Sequence, residues 1–219
     1  ETMDNLEVAL DIKNGLEKVI RKQIGELNAN LKIQNEECSS ILFTSTYTGE
    51  GKSTISLYLA ISLSRSDKKT VWIDCNYHKR KTAYKIRNVK KEQEAGKNWG
   101  LLDYLETSCN LDEIIYPVNN EKLHVIPIGS VGKGAPELFE KTCFRELMTK
   151  LCEEYDYVIL DSSAAGKYVD SKILASKCDG VVYVIEYNRV KKTLVKDTVE
   201  NLKKCKGNIL GAVINKSQI

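Results

Sequence analysis

Residues 46–54 read Thr-Tyr-Thr-Gly-Glu-Gly-Lys-Ser-Thr, and they stand between two apolar stretches, Ile41-Leu42-Phe43 and Ile55 to Ala60. Two glycines, a lysine and several hydroxyls at such a junction have the makings of a phosphate cradle. A strand that ends in a glycine-containing loop and opens into a helix aims several backbone N–H groups at one point, and the helix N-terminus adds a partial positive charge. Gly49 and Gly51 permit backbone angles and a close approach that a side chain blocks. In the pattern G-x-x-x-x-G-K-[ST], Lys52 reaches the β- and γ-phosphates, Ser53 ligates Mg²⁺ and Thr54 touches the α-phosphate. The backbone of Thr48, Gly49 and Glu50 lines the rest. The first consensus position is Thr46 rather than glycine; the remainder fits. The competing reading is a glycine turn that happens to carry a lysine.

A magnesium ion bridging two phosphates also needs carboxylates, directly or through water. Asp74 closes the run Thr-Val-Trp-Ile-Asp, and Asp161 closes Tyr-Val-Ile-Leu-Asp. A lone aspartate after an apolar run is often only a turn former. Two of them behind a good cradle point to a shared site, because the carboxyl ends of parallel strands lie along one edge. Lys52, Ser53, Asp74 and Asp161 are therefore expected to converge.

The elements that must position them follow from the apolar pattern. Candidate strands are 40–45, 70–75, 122–127, 156–161, 180–187 and 208–214; candidate helices are 52–65, 101–106, 137–153, 168–177 and 190–205. Their alternation predicts an α/β fold: a mainly parallel sheet with helices on both faces, of the P-loop nucleotide-binding kind. Residues 1–36 carry Leu6, Val8, Leu10, Ile12, Leu16, Val19, Ile20, Ile24, Leu27 and Leu31 at mixed three- and four-residue steps. They read as an N-terminal helical segment of one or two amphipathic helices, set before a nucleotide-binding domain over 37–219. The charged stretch from Asn76 to Trp99 reads as a surface excursion carrying a helix.

The 219 residues suffice for one sizeable domain with a full core. A hydrophobic share of 42% and a charged share of 29% are ordinary for a globular chain. A net charge of +3 does not argue for a nucleic-acid partner. No stretch approaches the roughly 18 apolar residues of a membrane span. The seven cysteines are scattered singly, with no C-x-x-C pair, which weakens zinc and thioredoxin-type readings in favour of free thiols. The first residue is Glu1, which suggests a portion of a longer chain. His124 falls inside a strand and reads as structural. Most tyrosines lie in apolar runs, Tyr58, Tyr157 and Tyr183 among them; Tyr77 and Tyr84 in the charged stretch are better candidates for modification. The basic run from His78 to Lys81, followed by Lys85, Arg87, Lys90 and Lys91, reads as a solvated loop or as a surface for acidic partners.

The stretches FTSTYTGEGKST, VWIDCNYHKRK and YVILDSSA resemble the Walker A, Walker A′ and Walker B motifs of bacterial tyrosine kinases, the P-loop kinases of capsular and exopolysaccharide synthesis. The likeness runs from about Ser40 to Lys216 and includes GLLDYL at 100–105, the stretch Gly129 to Leu138, Asp170 at the second switch, and Asn215, where related ATPases contact adenine. It implies an ATP-dependent tyrosine autokinase in which Lys52 neutralises phosphate oxygens, Ser53 and Asp161 hold Mg²⁺, and Asp74 orients the acceptor hydroxyl or supports the metal. It implies ATP/ADP and Mg²⁺ as cofactors and tyrosine-containing protein substrates. It also implies self-association, and a transmembrane co-polymerase partner or fused region that places the chain at the inner face of the membrane.

Several positions depart from that family. Its second Walker A′ aspartate and following arginine are Asn76 and His78 here; its Thr-Pro-Pro after Walker B is Ser162-Ser163-Ala164; its oligomerisation charges fall on Lys22, Gly25 and Asn28. These departures motivate a second reading, a catalytically degenerate nucleotide-binding regulator of a polysaccharide co-polymerase. A third reading, a partitioning-type ATPase, is disfavoured because the signature lysine of that class is Tyr47.

Overall fold

The structure is a computed structural model that describes residues 6–10, 16–34, 39–78, 84–88, 93–94, 99–107, 109–118, 122–129 and 136–216. In chain order its elements are β1 (Leu6–Leu10), α1 (Leu16–Gln34), β2 (Ser40–Ser45), α2 (Lys52–Arg65), β3 (Thr70–Asp74), β4 (Tyr84–Asn88), β5 (Gln93–Glu94), α3 (Leu101–Thr107), β6 (Tyr116–Pro117), β7 (Leu123–Ile126), α4 (Thr142–Glu154), β8 (Tyr157–Asp161), α5 (Asp170–Ala175), β9 (Gly180–Glu186), α6 (Lys192–Lys204) and β10 (Ile209–Asn215).

Seven strands form one sheet in the order β10-β9-β2-β8-β3-β7-β6. All its pairings are parallel except β6 with β7, which closes one edge antiparallel. β2 lies between β8 and β9: after β2 the chain builds β3, β7 and β6 on one side, and after β8 it crosses to build β9 and β10 on the other, so the strand order reverses at β2. Open α/β sheets bind ligands outside the carboxyl ends of strands at such a place.

Side chains alternate across each strand, and both faces are covered. Ile41, Phe43, Trp72, Ile159, Val182 and Val184 pack on one side with Ile24 and Leu31 of α1 and Ile55, Leu59 and Leu63 of α2. Leu42, Val71, Ile73, Val158, Leu160, Val181 and Tyr183 face the other side with Leu105, Phe144, Leu147, Leu151, Leu174 and Leu202. Full burial of each such side chain stabilises by about 1.5–3 kcal/mol. That two-sided burial is why these strands read in the sequence as unbroken apolar runs. Trp72 is wholly buried, and its indole N–H donates to Ser56 Oγ at 2.9 Å, pinning β3 to α2.

Three expectations are corrected. Leu6–Leu10, taken for helix, is β1, and it pairs antiparallel with β4 in the register Leu6↔Asn88, Val8↔Ile86, Leu10↔Tyr84. Leu6, Val8 and Leu10 alternate with Glu7 and Ala9, as Tyr84 and Ile86 alternate with Lys85 and Arg87; two short strand periods far apart became legible only as a pair. The described part of the charged stretch accordingly carries β4 and β5 in a three-stranded sheet with β1, not a helix; Lys79, Arg80, Lys81, Lys90 and Lys91 lie outside the described residues. The helix expected over 137–153 divides into a 3₁₀ turn, Pro136–Glu140, and α4.

Candidate functional site

β2 delivers the loop of residues 46–51 to the carboxyl edge of the sheet, and α2 begins at Lys52. Gly49 and Gly51 have φ of 84° and 97°, in the left-handed region that side chains disfavour. A Cβ on Gly51 would stand 2.1 Å from Asn215 Nδ2. Asn215, from the end of β10, donates that amide to the Glu50 carbonyl at 2.8 Å, so in this structure it braces the cradle's backbone. Thr46, at the position where glycine was expected, is buried, and its hydroxyl bonds Tyr183 OH at 2.7 Å. Gly166 packs so closely on the Thr46 carbonyl that a Cβ there would lie 2.4 Å away.

Glu50 is fully buried, and its carboxylate turns into the protein. One oxygen accepts from the Tyr47 backbone N–H; the other accepts from the Glu186 N–H at 2.8 Å. This bolt fixes the loop to the end of β9 and was not foreseen, because a glutamate between two glycines gives no local hint of its partner. Glu186 in turn pairs with Arg189 at 2.6 Å and Lys216 at 3.1 Å. Those contacts, the Arg189 hydrogen bond first, hold its carboxyl below the usual carboxylate range. Lys216 also donates to the Gly49 carbonyl at 3.1 Å.

Lys52 is buried and donates to Ser45 Oγ at 3.0 Å, folded along the inside of the loop. The Ser53 hydroxyl donates to Asp161 Oδ2. Asp74 and Asp161 are register partners on β3 and β8, and both are buried. The structure thus brings Ser53, Asp161 and Asp74 together, with Lys52 next to Ser53 at the start of α2. Thr48 and Gly49 are exposed, and Thr54 is partly covered in the first turn of α2. The available donors, a hydroxyl and two carboxylates, are all oxygen, which suits a hard cation such as Mg²⁺. Among the described residues no three His, Cys, Asp or Glu side chains enclose a metal.

A second cluster adjoins these aspartates. Asn76 donates its backbone N–H to Asp74 Oδ1 at 3.1 Å, and its side-chain oxygen accepts from the His78 N–H at 3.3 Å. Asp170, at the start of α5, is buried and accepts from Tyr77 OH at 2.7 Å and Ser163 Oγ at 3.0 Å. His78 Nε2 contacts the same carboxylate at 2.7 Å. Burial first, and Asp170 beside it, push the Tyr77 phenol well above its ordinary range. Tyr84 sits on β4.

The family model described as an AAA domain matches residues 39–212. The tyrosine-protein kinase CpsD of Streptococcus agalactiae is 30% identical over 217 residues, covering 98% of this chain and 90% of its own. The chain belongs to the bacterial tyrosine kinase family. The VpsO kinase domain superposes with a TM-score of 0.77 at 25% identity, covering 93% of this chain and 100% of that one. The succinoglycan biosynthesis transport protein ExoP of Rhizobium meliloti is 25% identical over 197 residues, which make up 89% of this chain and 24% of ExoP.

Within this bacterial tyrosine kinase, four of the positions that depart from the family pattern belong to one hydrogen-bonded cluster. Asn76, His78 and Ser163 all belong to the cluster around Asp170, and Ser162 Oγ joins it through Ser171 Oγ at 3.1 Å. At the family's oligomerisation motif, Lys22 and Gly25 are exposed on α1 and Asn28 is buried. Among the described residues no helix is long and apolar enough to cross a membrane.

Proposed function

We propose that this chain binds ATP with Mg²⁺ and transfers its γ-phosphoryl group to tyrosine hydroxyls, as a regulatory kinase of capsular or exported polysaccharide assembly. The observation that carries the reading is the contact of the Ser53 hydroxyl with the Asp161 carboxylate, with Asp74 beside it and Lys52 preceding Ser53 at the start of α2. Phosphoryl transfer asks mainly for positioning and charge neutralisation. In this reading the Thr48 to Thr54 backbone cradles the phosphates and Lys52 leaves Ser45 for the β/γ oxygens. Ser53 and Asp161 would hold Mg²⁺, and Asp74 supports it or orients the acceptor hydroxyl. A bound Mg²⁺ would neutralise charge on the β- and γ-phosphate oxygens. Asn215 keeps the loop shaped from behind, at the place where related ATPases meet the base.

The membrane connection is supported by ExoP, in which a kinase-like stretch forms about a quarter of a transport protein. We infer a transmembrane co-polymerase, separate or fused, as the activating partner. The test is to incubate the full-length protein with that partner, labelled ATP and Mg²⁺, and to assay phosphotyrosine beside a Lys52→Ala control. Label on tyrosine that disappears in the control supports the reading; an unlabelled wild type contradicts it.

One observation favours a second reading. The Asn76 amide stands where the family has an aspartate, and an amide accepts a hydrogen bond but takes no proton at neutral pH. A nucleotide-binding regulator without turnover follows if nothing replaces that carboxylate. Tight nucleotide binding with no transfer would identify it.

A further inference from the structure

The proton that must leave an attacking tyrosine hydroxyl needs an acceptor, and the Asn76 amide is not one. The structure offers another. His78 lies on the loop leaving β3, tied back to Asn76 through its backbone N–H. Asp170 is 1% exposed and already accepts from Tyr77 and Ser163. With the Asp170 carboxylate the acceptor in this contact as in those two, His78 Nε2 is the donor at 2.7 Å. In the neutral ring that leaves the lone pair on Nδ1. Among the described residues Nδ1 has no hydrogen-bond partner, and the side chain is 26% exposed. The ring is held against Tyr168, with centroids 3.6 Å apart and planes 11° apart, and against Tyr77 at 4.2 Å. A carboxylate that fixes one ring nitrogen, aromatic rings that fix its plane and a bare second nitrogen together make an oriented proton acceptor.

We propose that His78, held by Asp170, accepts the proton of the tyrosine hydroxyl during phosphoryl transfer and so supplies what the amide at residue 76 lacks. The proposal rests on the kinase reading above. In the step, the phenolic O–H proton passes to Nδ1 and the phenolic oxygen forms a bond to the γ-phosphorus. The bond from that phosphorus to the β,γ-bridging oxygen breaks, and ADP carries away the electron pair. The imidazolium is stabilised by Asp170 and returns its proton to water. Tyr77 and Ser163 position Asp170; the loop on which His78 sits starts from Asp74, whose register partner Asp161 accepts from the Ser53 hydroxyl.

His78→Gln separates this role from a structural one. A glutamine amide can still donate to Asp170 but cannot take a proton. The measurement is steady-state phosphotyrosine formation by the full-length protein with its activating partner, for wild type, His78→Gln and His78→Gln/Asn76→Asp. ATP affinity is measured in parallel. The expected result is a kcat about 100-fold lower in His78→Gln, with ATP affinity within about threefold of wild type. The double variant, with a carboxylate restored at residue 76, regains at least about tenfold. Equal kcat in wild type and His78→Gln overturns the assignment while leaving the kinase reading standing. So does a loss that appears as weakened ATP binding, or one that Asn76→Asp fails to relieve. A wild type that forms no phosphotyrosine at all overturns the kinase reading and this assignment with it.

Discussion

Gly51 has to be glycine for two separable reasons, a left-handed φ of 97° and the Asn215 amide occupying the space of a Cβ. Gly51→Ala is expected to cost about 1–3 kcal/mol in strain alone and to weaken nucleotide binding. Adding Asn215→Gly should recover part of the loss, since it removes the clash and leaves the φ; thermal melts and nucleotide titrations of both variants check this. Glu50 makes a different prediction. Glu50→Gln puts an N–H₂ where a backbone N–H now finds an acceptor, so unfolding should become easier by about 1–3 kcal/mol. The cradle, released from the Glu186 backbone, should also lose ATP affinity; urea denaturation beside ATP titration reads both. Lys52, Ser53 and the glycines were legible in the sequence because their chemistry is local, compressed into nine residues. The Glu50 bolt and the joining of Tyr77, His78 and Ser163 on Asp170 were not. Their partners lie about 90 or more residues away, apart from Ser163, and only the fold brings them together.

Six of the seven strands of the large sheet were legible, the inner ones because burial on both faces leaves no polar alternation to confuse the reading; β6, only Tyr116–Pro117, is too short to show a pattern and was not among them. β1 and β4 were not, because each is a five-residue strand whose alternation means little without the other. Two predictions belong to elements. Trp72→Phe removes the bond that joins β3 to α2 and leaves Ser56 Oγ short of a donor, at an expected cost of about 1–3 kcal/mol by denaturant titration. On β7, burial first and then the nearby Lys69 charge hold the His124 imidazole below its ordinary value; its ring stands edge-on to Tyr155 at 5.6 Å. The unfolded chain therefore binds this proton more readily than the folded one. The group's contribution to stability is present above about pH 6.5 and is lost as pH falls below it. His124→Leu should flatten the decline in stability between neutral and mildly acid pH, as followed by melting temperature across that range.

At the scale of the molecule, three loops from three strands meet at one edge: the cradle after β2, the segment after β3 and the segment after β8. Parallel pairing of β2 and β3 with β8 makes this convergence obligatory, since every strand then ends on the same side. On the kinase reading this edge grips a magnesium nucleotide. Calorimetric titration with ATP, with and without Mg²⁺, tests it most directly in wild type, Lys52→Ala and Asp161→Asn. In wild type Mg²⁺ is expected to tighten ATP binding. Lys52→Ala is expected to weaken binding at least tenfold, about 1.4 kcal/mol, and Asp161→Asn to abolish most of the Mg²⁺ dependence. A wild type that binds no ATP, or that binds it equally well with and without Mg²⁺ and equally well in both variants, would contradict it.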